Sequence, residues 1–333
     1  MSKNLPESCR EIVESQRGVI TRSQALARGM SADAIAWRVN AERWRTLWPG
    51  VYLASSGEPS REATLWAEMR SAGAGAALSH QTAAELFKLA DEPSSLIHIT
   101  IPESRRVRAG AGIMVHRSSH LAGAVHPTLL PPRTRIEETV LDLARQAAEF
   151  DAAFNVACAA CQRGLTKPEF LAAAMVERKK MRWRAELREA LGEVGSGVHS
   201  MLEYRYLHLV ERPHRLPTAE RQARVAISAG NRYLDNLYDG YRLCVELDGL
   251  QTHQEERRWQ DQRRVNAIAV RGILTLRYGW NDVNNSPCQT AGEIAALLNR
   301  QGWPGTVRRC APACTAQAVQ ARYRGISRAD RPA

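Results

Sequence analysis

The stretch Tyr233-Leu-Asp-Asn-Leu-Tyr-Asp-Gly-Tyr-Arg-Leu-Cys-Val-Glu-Leu-Asp-Gly249 restricts this chain more than any other. It reads as a β-hairpin. Asp239-Gly240 supplies the residues that tolerate the positive φ of a tight two-residue loop. Beyond the turn, Leu243, Val245 and Leu247 alternate with Cys244, Glu246 and Asp248. A period of two sends the apolar set to one face and both carboxylates to the other. A loop at Asp239-Gly240 pairs Tyr238 with Tyr241 and sets Asp235 opposite Cys244. Asp235 and Glu246 then share a face, one diagonal step of roughly 7–8 Å apart. Acids gathered on one sheet face repel unless a cation lies between them. The stretch therefore predicts a metal site on a sheet.

Around this hairpin, 333 residues leave room for two or three domains. A formal charge of +11, mostly carried by Arg, favours a polyanionic partner. Genomic codon bias toward Arg is the plain alternative. No apolar run approaches the roughly 18–20 residues that span a bilayer, and Met1-Ser-Lys-Asn-Leu-Pro-Glu7 lacks a secretory apolar core. Seven scattered cysteines suit reduced thiols better than a disulfide framework. Cys158 and Cys161 read as packing residues in an Ala-rich helix, and Cys310 and Cys314 carry a still weaker metal signal. The expectation is a cytoplasmic protein with no membrane segment and no small-molecule cofactor.

The first sixty residues predict three short helices, Cys9–Gln16, Ser23–Arg28 and Ala32–Asn40, then a hairpin about Pro49-Gly50. Thr21 or Ser23 caps the second helix and Ser31 the third. This is a winged helix-turn-helix pattern. The Gly18-Val-Ile-Thr-Arg-Ser-Gln-Ala-Leu26 start and the Trp44-Arg-Thr-Leu-Trp-Pro-Gly-Val-Tyr52 wing resemble the N-terminal domain of AbiEi-type antitoxins, the regulatory halves of type IV toxin–antitoxin pairs. The resemblance implies DNA binding through the third helix, with Arg38, Arg43 and Arg45 on backbone or bases, and a cognate toxin as a further partner. Residues 56–192 resemble the α/β portion that follows in the same proteins, in Leu78-Ser-His-Gln-Thr-Ala-Ala-Glu-Leu86, Leu96-Ile-His-Ile-Thr-Ile-Pro102, Gly112-Ile-Met-Val-His-Arg117 and Pro132–Ala144. His80, His116 and Arg133 attract notice there, but no catalysis is assigned; His80 reads as a capping or packing residue. A basic run from Arg178 to Arg188 is either a phosphate grip or a solvated face. Gly192–Gly197 reads as a linker.

The C-terminal region predicts the order helix, strand, hairpin, helix, strand, helix. Its opening helix, Ser200–Val210, carries the stripe Leu202, Tyr206, Leu209 and Val210. Over residues 198–303 the spacing Asp235…Tyr241-Arg-Leu-Cys-Val-Glu-Leu-Asp-Gly249…His253, the helix Asp261-Gln-Arg-Arg-Val-Asn266 and the strand Ile273-Leu-Thr-Leu-Arg277 resemble the PD-(D/E)XK nucleases. Within them the nearest pattern is that of very-short-patch repair endonucleases. The resemblance implies a Mg²⁺ (or Mn²⁺) held by Asp235 and Glu246; Asp248, outside the family pattern, is expected as a further metal-binding acid. Glu203 adds a carboxylate from the preceding helix, His253 orients water or protonates the leaving oxygen, and Arg263 or Arg264 steadies the phosphate. Read from the residues alone, Asp235 is equally a turn cap and His253 a helix cap. Asp248 departs from the pattern: the usual residue there is Lys, or His in the repair enzymes, and an acid cannot offer a cation to the phosphate. From Pro304 the Arg-rich tail, 304–333, reads as disordered.

The expectation is thus an α/β multidomain protein. A winged helix-turn-helix spans 1–55 and an α/β middle domain 56–192. A restriction-endonuclease-like mixed sheet flanked by helices spans 198–303. The expected activity is metal-dependent endonuclease action on DNA, and the alternative is a non-enzymatic antitoxin or autorepressor with a degenerate nuclease fold.

Overall fold

The computed structural model describes residues 5–107, 110–227, 230–248 and 266–324. The architecture is mixed α/β, with three small sheets, and the chain divides into two compact units, Met1–Arg184 and Ala185–Ala333.

The first unit opens with α1 (Glu7–Ser15), β1 (Val19–Thr21), α2 (Arg22–Ala27), α3 (Ala32–Asn40), β2 (Arg45–Trp48) and β3 (Val51–Leu53). Its helix starts are fixed by side chains. Gln24 N–H donates to Thr21 Oγ1 (3.1 Å) while Thr21 N–H donates to Gln24 Oε1 (3.0 Å), a reciprocal cap on α2. Ser31 Oγ accepts from Ala34 N–H at the start of α3. Gly50, at φ 75°, makes the turn from β2 to β3. The three strands form an antiparallel sheet in the order β1-β3-β2, and Cys9, Ile20, Ala25, Ile35 and Trp44 fill the space beneath it.

The next helix, α4 (Arg61–Ala72), serves two cores. Trp66 and Ala67 pack on Val19, Val51 and Leu53, while Leu65 and Met69 pack under a second sheet. The expected divide at residue 55 is therefore spanned by a shared helix. The second sheet has the order β4-β5-β6, built from β4 (Ala77–Leu78), β5 (Ile97–Pro102) and β6 (Ile113–Ser118). Beside it lie α5 (His80–Leu86), α6 (Leu121–Ala124), α7 (Ile136–Gln146), α8 (Phe150–Gln162) and α9 (Pro168–Ala174). Arg178, at the head of the basic run, neither faces solvent nor waits for phosphate. Its guanidinium is paired with Glu138 and Asp142.

The second unit opens within α10 (Arg184–Gly195), so two-thirds of the expected linker is helix. A helical passage then runs through α11 (Met201–Arg205), a π-helical turn Tyr206–Glu211 and α12 (Arg212–His214). The strands β7 (Glu220–Ile227), β8 (Gly230–Tyr238) and β9 (Leu243–Asp248) form an antiparallel meander, and β10 (Leu274–Gly279) adds parallel to β9. The order is β10-β9-β8-β7. The helices α13 (Trp280–Asn285), α14 (Pro287–Arg300) and α15 (Ala316–Arg324) complete it. Three residues of the stripe read from the sequence face inward, Leu202, Tyr206 and Val210 packing with Leu243, Val245 and Ile294; Leu209 is half-buried and outside that cluster, and Leu207 is buried instead.

Two expectations need correction here. The hairpin loop is longer than two residues. Residues Asp239–Tyr241 form a 3₁₀ turn, and the left-handed residue is Arg242 (φ 49°), not Gly240. Arg242 N–H closes the turn on the Asp239 carbonyl, and its guanidinium is held by the Arg271 and Gly272 carbonyls. Tyr238 consequently pairs with Leu243 and Leu237 with Cys244. The slip is two residues, so every side chain keeps its face. The second correction concerns the tail, whose residues 304–324 are packed and include the helix Ala316–Arg324. Gln320 is buried, donates to Asn299 Oδ1 and accepts from Val307 N–H. Residues 325–333 lie outside the described residues.

Candidate functional site

The corrected register runs Tyr238–Leu243, Leu237–Cys244, Asn236–Val245, which carries Asp235 to the position facing Glu246. Asp235 Oδ2 accepts the Leu247 backbone N–H at 2.9 Å. From β7 on the other side, Gln222 Nε2 donates to Asp235 Oδ1 (3.2 Å) and reaches Glu203 Oε2 (3.5 Å). Glu203 is set by its helix start: Ser200 caps α11, and the Glu203 carboxylate turns back to accept from His199 N–H and Ser200 Oγ. A cap residue on a helix and two strand residues thus meet at one sheet face.

Their electrostatics follow from burial. Glu203 and Glu246 are 7% and 8% exposed. Burial, with the Asp235 charge adding to it, pushes the Glu203 carboxyl up to about 7. Burial also raises Asp235, against the pull of the Leu247 N–H and Gln222. Glu246 rises through burial and the Asp235 charge. Among the described residues a cation stands beside the group: Arg232 Nη2 lies 3.3 Å from Glu246 Oε2. Its Nε and the Asn236 Oδ1 are buried without a hydrogen-bond partner. Gln222 sits in left-handed backbone at φ 49° inside a strand, a conformation that costs a non-glycine residue about 1–3 kcal/mol and concentrates at functional sites.

The sequence-predicted residues divide accordingly. Glu203, Asp235 and Glu246 come together. Asp248 is exposed at the end of β9, 3.9 Å from Arg277 Nη1, and belongs to the rim of the group. His253, Arg263 and Arg264 lie outside the described residues. Gln222, Arg232 and Arg277 were missed. Gln222 and Arg277 lie one strand away from Asp235 and Glu246 respectively, and Arg232 shares β8 with Asp235 but bonds Glu246 on β9; Arg277 pairs with Glu246 across β9–β10.

Carboxylate oxygens suit a hard divalent cation. Their arrangement is open, however. Among the described residues, two groups bring their ligand atoms within 4.8 Å of one another: His214 with Cys288, Cys310 and Cys314, and His80 with His98 and His116. The carboxylates form no such group.

The histidine group belongs to the first unit. His80 and His116 stack at 3.7 Å between ring centroids, and His98 Nδ1 is 3.0 Å from His116 Nε2. Burial drives His80 down to about 2 and His116 to about 4, so the rings are neutral. They form one wall of a cavity of about 1010 Å³ that Arg145, Arg178 and Asp142 also line. Ser79 occupies the N-cap position of α5 without capping it; its hydroxyl meets His80 Nδ1 (2.9 Å) and Thr100.

In the N-terminal segment, Arg38 lies over the Trp37 and Trp44 rings and donates to the Ala34 carbonyl. Arg43 lies over Trp37 at 5.1 Å. Arg45 is paired with Glu58. Trp37 is 53% exposed, so α3 and the residues just after it present an aromatic ring flanked by guanidinium groups.

Neither a family model nor a curated protein matches the chain. Among solved structures, the "Crystal structure of RV2827C protein from Mycobacterium tuberculosis" is similar at 17% identity over 56% of this chain and 77% of that chain, with a TM-score of 0.39. A superposition that loose assigns neither fold nor activity.

Proposed function

We propose that this chain is a DNA-binding protein whose C-terminal unit hydrolyses DNA phosphodiester bonds with the aid of a divalent cation. One observation carries the reading: Glu203, Asp235 and Glu246 are drawn together at one sheet face and kept from their ordinary acidity. A protein with no ligand for that face has no need of three crowded acids, since each raised value is a cost to the folded state. The strand order, a three-stranded meander followed by a parallel fourth strand with helices before and after, agrees with the nuclease resemblance. Mg²⁺ or Mn²⁺ held by Asp235 and Glu246 would acidify a bound water and neutralise phosphate charge. The chain's own residues then have definite tasks. Glu203, already poised near neutrality, exchanges a proton at working pH. Gln222 and the Leu247 N–H orient Asp235. Arg232 or Arg277 supplies the positive charge that Asp248 cannot. The N-terminal helices and hairpin deliver DNA through Arg43, Trp37 and the wing, in the manner of winged helix-turn-helix domains.

A second reading has its own support. Arg232 paired with Glu246 and the open arrangement of the acids suit a nuclease fold retained for binding in an antitoxin or autorepressor, with a cognate toxin as partner. Nicking of supercoiled plasmid by the purified chain in Mg²⁺ and Mn²⁺ separates the two. Activity lost about a hundredfold or more in both Asp235→Asn and Glu246→Gln supports the nuclease. DNA binding with no nicking of any substrate, and no cation-dependent heat in calorimetry, supports the regulator.

A further inference from the structure

The structure assigns a tetrahedral zinc site to His214, Cys288, Cys310 and Cys314, closing the C-terminal segment onto the second unit. Four ligand atoms from three separate parts of the chain lie within 4.8 Å of one another. Cys288 Sγ is 3.5 Å from Cys310 Sγ, and Cys314 Sγ is 3.6 Å from His214 Nε2. Bonds of about 2.3 Å to sulfur and 2.0–2.1 Å to nitrogen place tetrahedral neighbours about 3.5–3.8 Å apart, which the observed separations meet. A sulfur pair at 3.5 Å is far beyond the roughly 2.05 Å of a disulfide, and the three cysteines are free.

The surroundings are those of a ligand set. His214 is fully buried, and its Nδ1 faces the Val210 carbonyl at 2.9 Å. A carbonyl only accepts, so the proton sits on Nδ1 and the Nε2 lone pair points at the cysteines. That is how metal-bound histidines are held. Three thiolates and one Zn²⁺ leave a net charge of −1, next to Arg308 and Arg309 in sequence.

The four positions also explain why a segment rich in Pro, Ala and Arg packs at all. His214 ends α12, Cys288 opens α14, and Cys310 and Cys314 lie in the loop before α15. Arg308 N–H donates to the His214 carbonyl. α15 then lies so close to α14 that a Cβ on Gly292 would stand 2.6 Å from the Ala316 carbonyl oxygen and from Val319 Cβ. With four protein ligands the site has no open position, so its role is structural, and it is separate from the carboxylate group in both residues and donor chemistry.

The full chain, purified without chelator, is to be measured for metal content and reconstituted with Co²⁺. The expected result is about one zinc per chain, and a Co²⁺ form with an intense thiolate-to-metal charge-transfer band and tetrahedral d–d absorption. Cys310→Ser with Cys314→Ser removes the band and lowers zinc below about a tenth of an equivalent; Cys310 is exposed, so the single Cys310→Ser chain serves if the pair misfolds. Asp235→Asn and Cys161→Ser keep both zinc and band, which separates this site from the carboxylates. Limited proteolysis then cuts 304–315 at least about tenfold faster in the zinc-free chain. The assignment is overturned by a Co²⁺ form without a sulfur band, by zinc unchanged in the double variant, or by a Cys288–Cys310 disulfide in the native protein.

Discussion

Replacing Glu203 by Gln tests whether crowding of the buried carboxylates strains the fold. The Glu203 carboxyl has an ordinary value of 4.5 and a folded value of about 7. The native chain therefore holds this proton more tightly than the unfolded chain. The stability linked to it is fully present below pH 4.5 and is lost as pH rises to about 7, after which it is flat. At 1.36 kcal/mol per unit the loss is on the order of 3 kcal/mol, most of it between about pH 5 and pH 8. Gln cannot ionise, yet its carbonyl oxygen still accepts from His199 N–H. The assay is urea denaturation of wild type and Glu203→Gln at about pH 5 and pH 8, each with and without Mg²⁺. The expected result is a wild type that weakens by about 2–3 kcal/mol across that interval relative to the variant. Mg²⁺ restores the wild type at the higher pH and does less for the variant. Parallel stability–pH curves for the two proteins would refute the argument, because the acid would then be no more strained in the fold than out of it.

Other outcomes follow from the same reasoning. Arg221 and Glu211 form a buried pair at 2.7 Å, so Arg221→Met leaves an uncompensated carboxylate and should cost about 3–5 kcal/mol in chemical denaturation. His116 has a lowered value, about 4, so the stability linked to it is present above pH 6.5 and lost as pH falls toward 4. With the ring partly exposed, His116→Gln should remove about 1–2 kcal/mol of that acid sensitivity. Arg43→Ala should weaken DNA binding evenly across sequences and reduce the slope of log affinity against log salt by about one, measured by fluorescence anisotropy.

Local chemistry was readable where the cause was local. Thr21 and Ser31 start the helices that their side chains cap, and the alternation after Leu243 put Glu246 on the face where it is found. The loop length was not readable. Asp239-Gly240 carries the strongest turn preference in the hairpin, but the carbonyls of Arg271 and Gly272, distant in sequence, hold Arg242 in the left-handed conformation and move the register by two. Gln222 and Arg232 have no motif of their own; Gln222 reaches Asp235, and Arg232 reaches Glu246, through pairing between strands. The four putting His214 beside three cysteines depends on helix packing, and spacing alone left Cys310 and Cys314 looking like tail residues.

The π-helical turn Tyr206–Glu211 has a consequence for how the two ends of this sheet face are coupled. In an ideal α-helix, a residue eight positions on lies about 80° further round the axis. Hydrogen bonds from i to i+5 take up an extra residue and unwind part of that rotation. Glu203 and Glu211 are thereby brought toward one side. Glu203 meets Gln222, while Glu211 meets the adjacent Arg221 and Tyr238. Deleting one residue between 206 and 211 would leave a continuous, well-formed helix yet swing one glutamate away from its strand. The helix thus works as a phase spacer, and a chain that looked improved by every local measure would have its two acidic grips out of step.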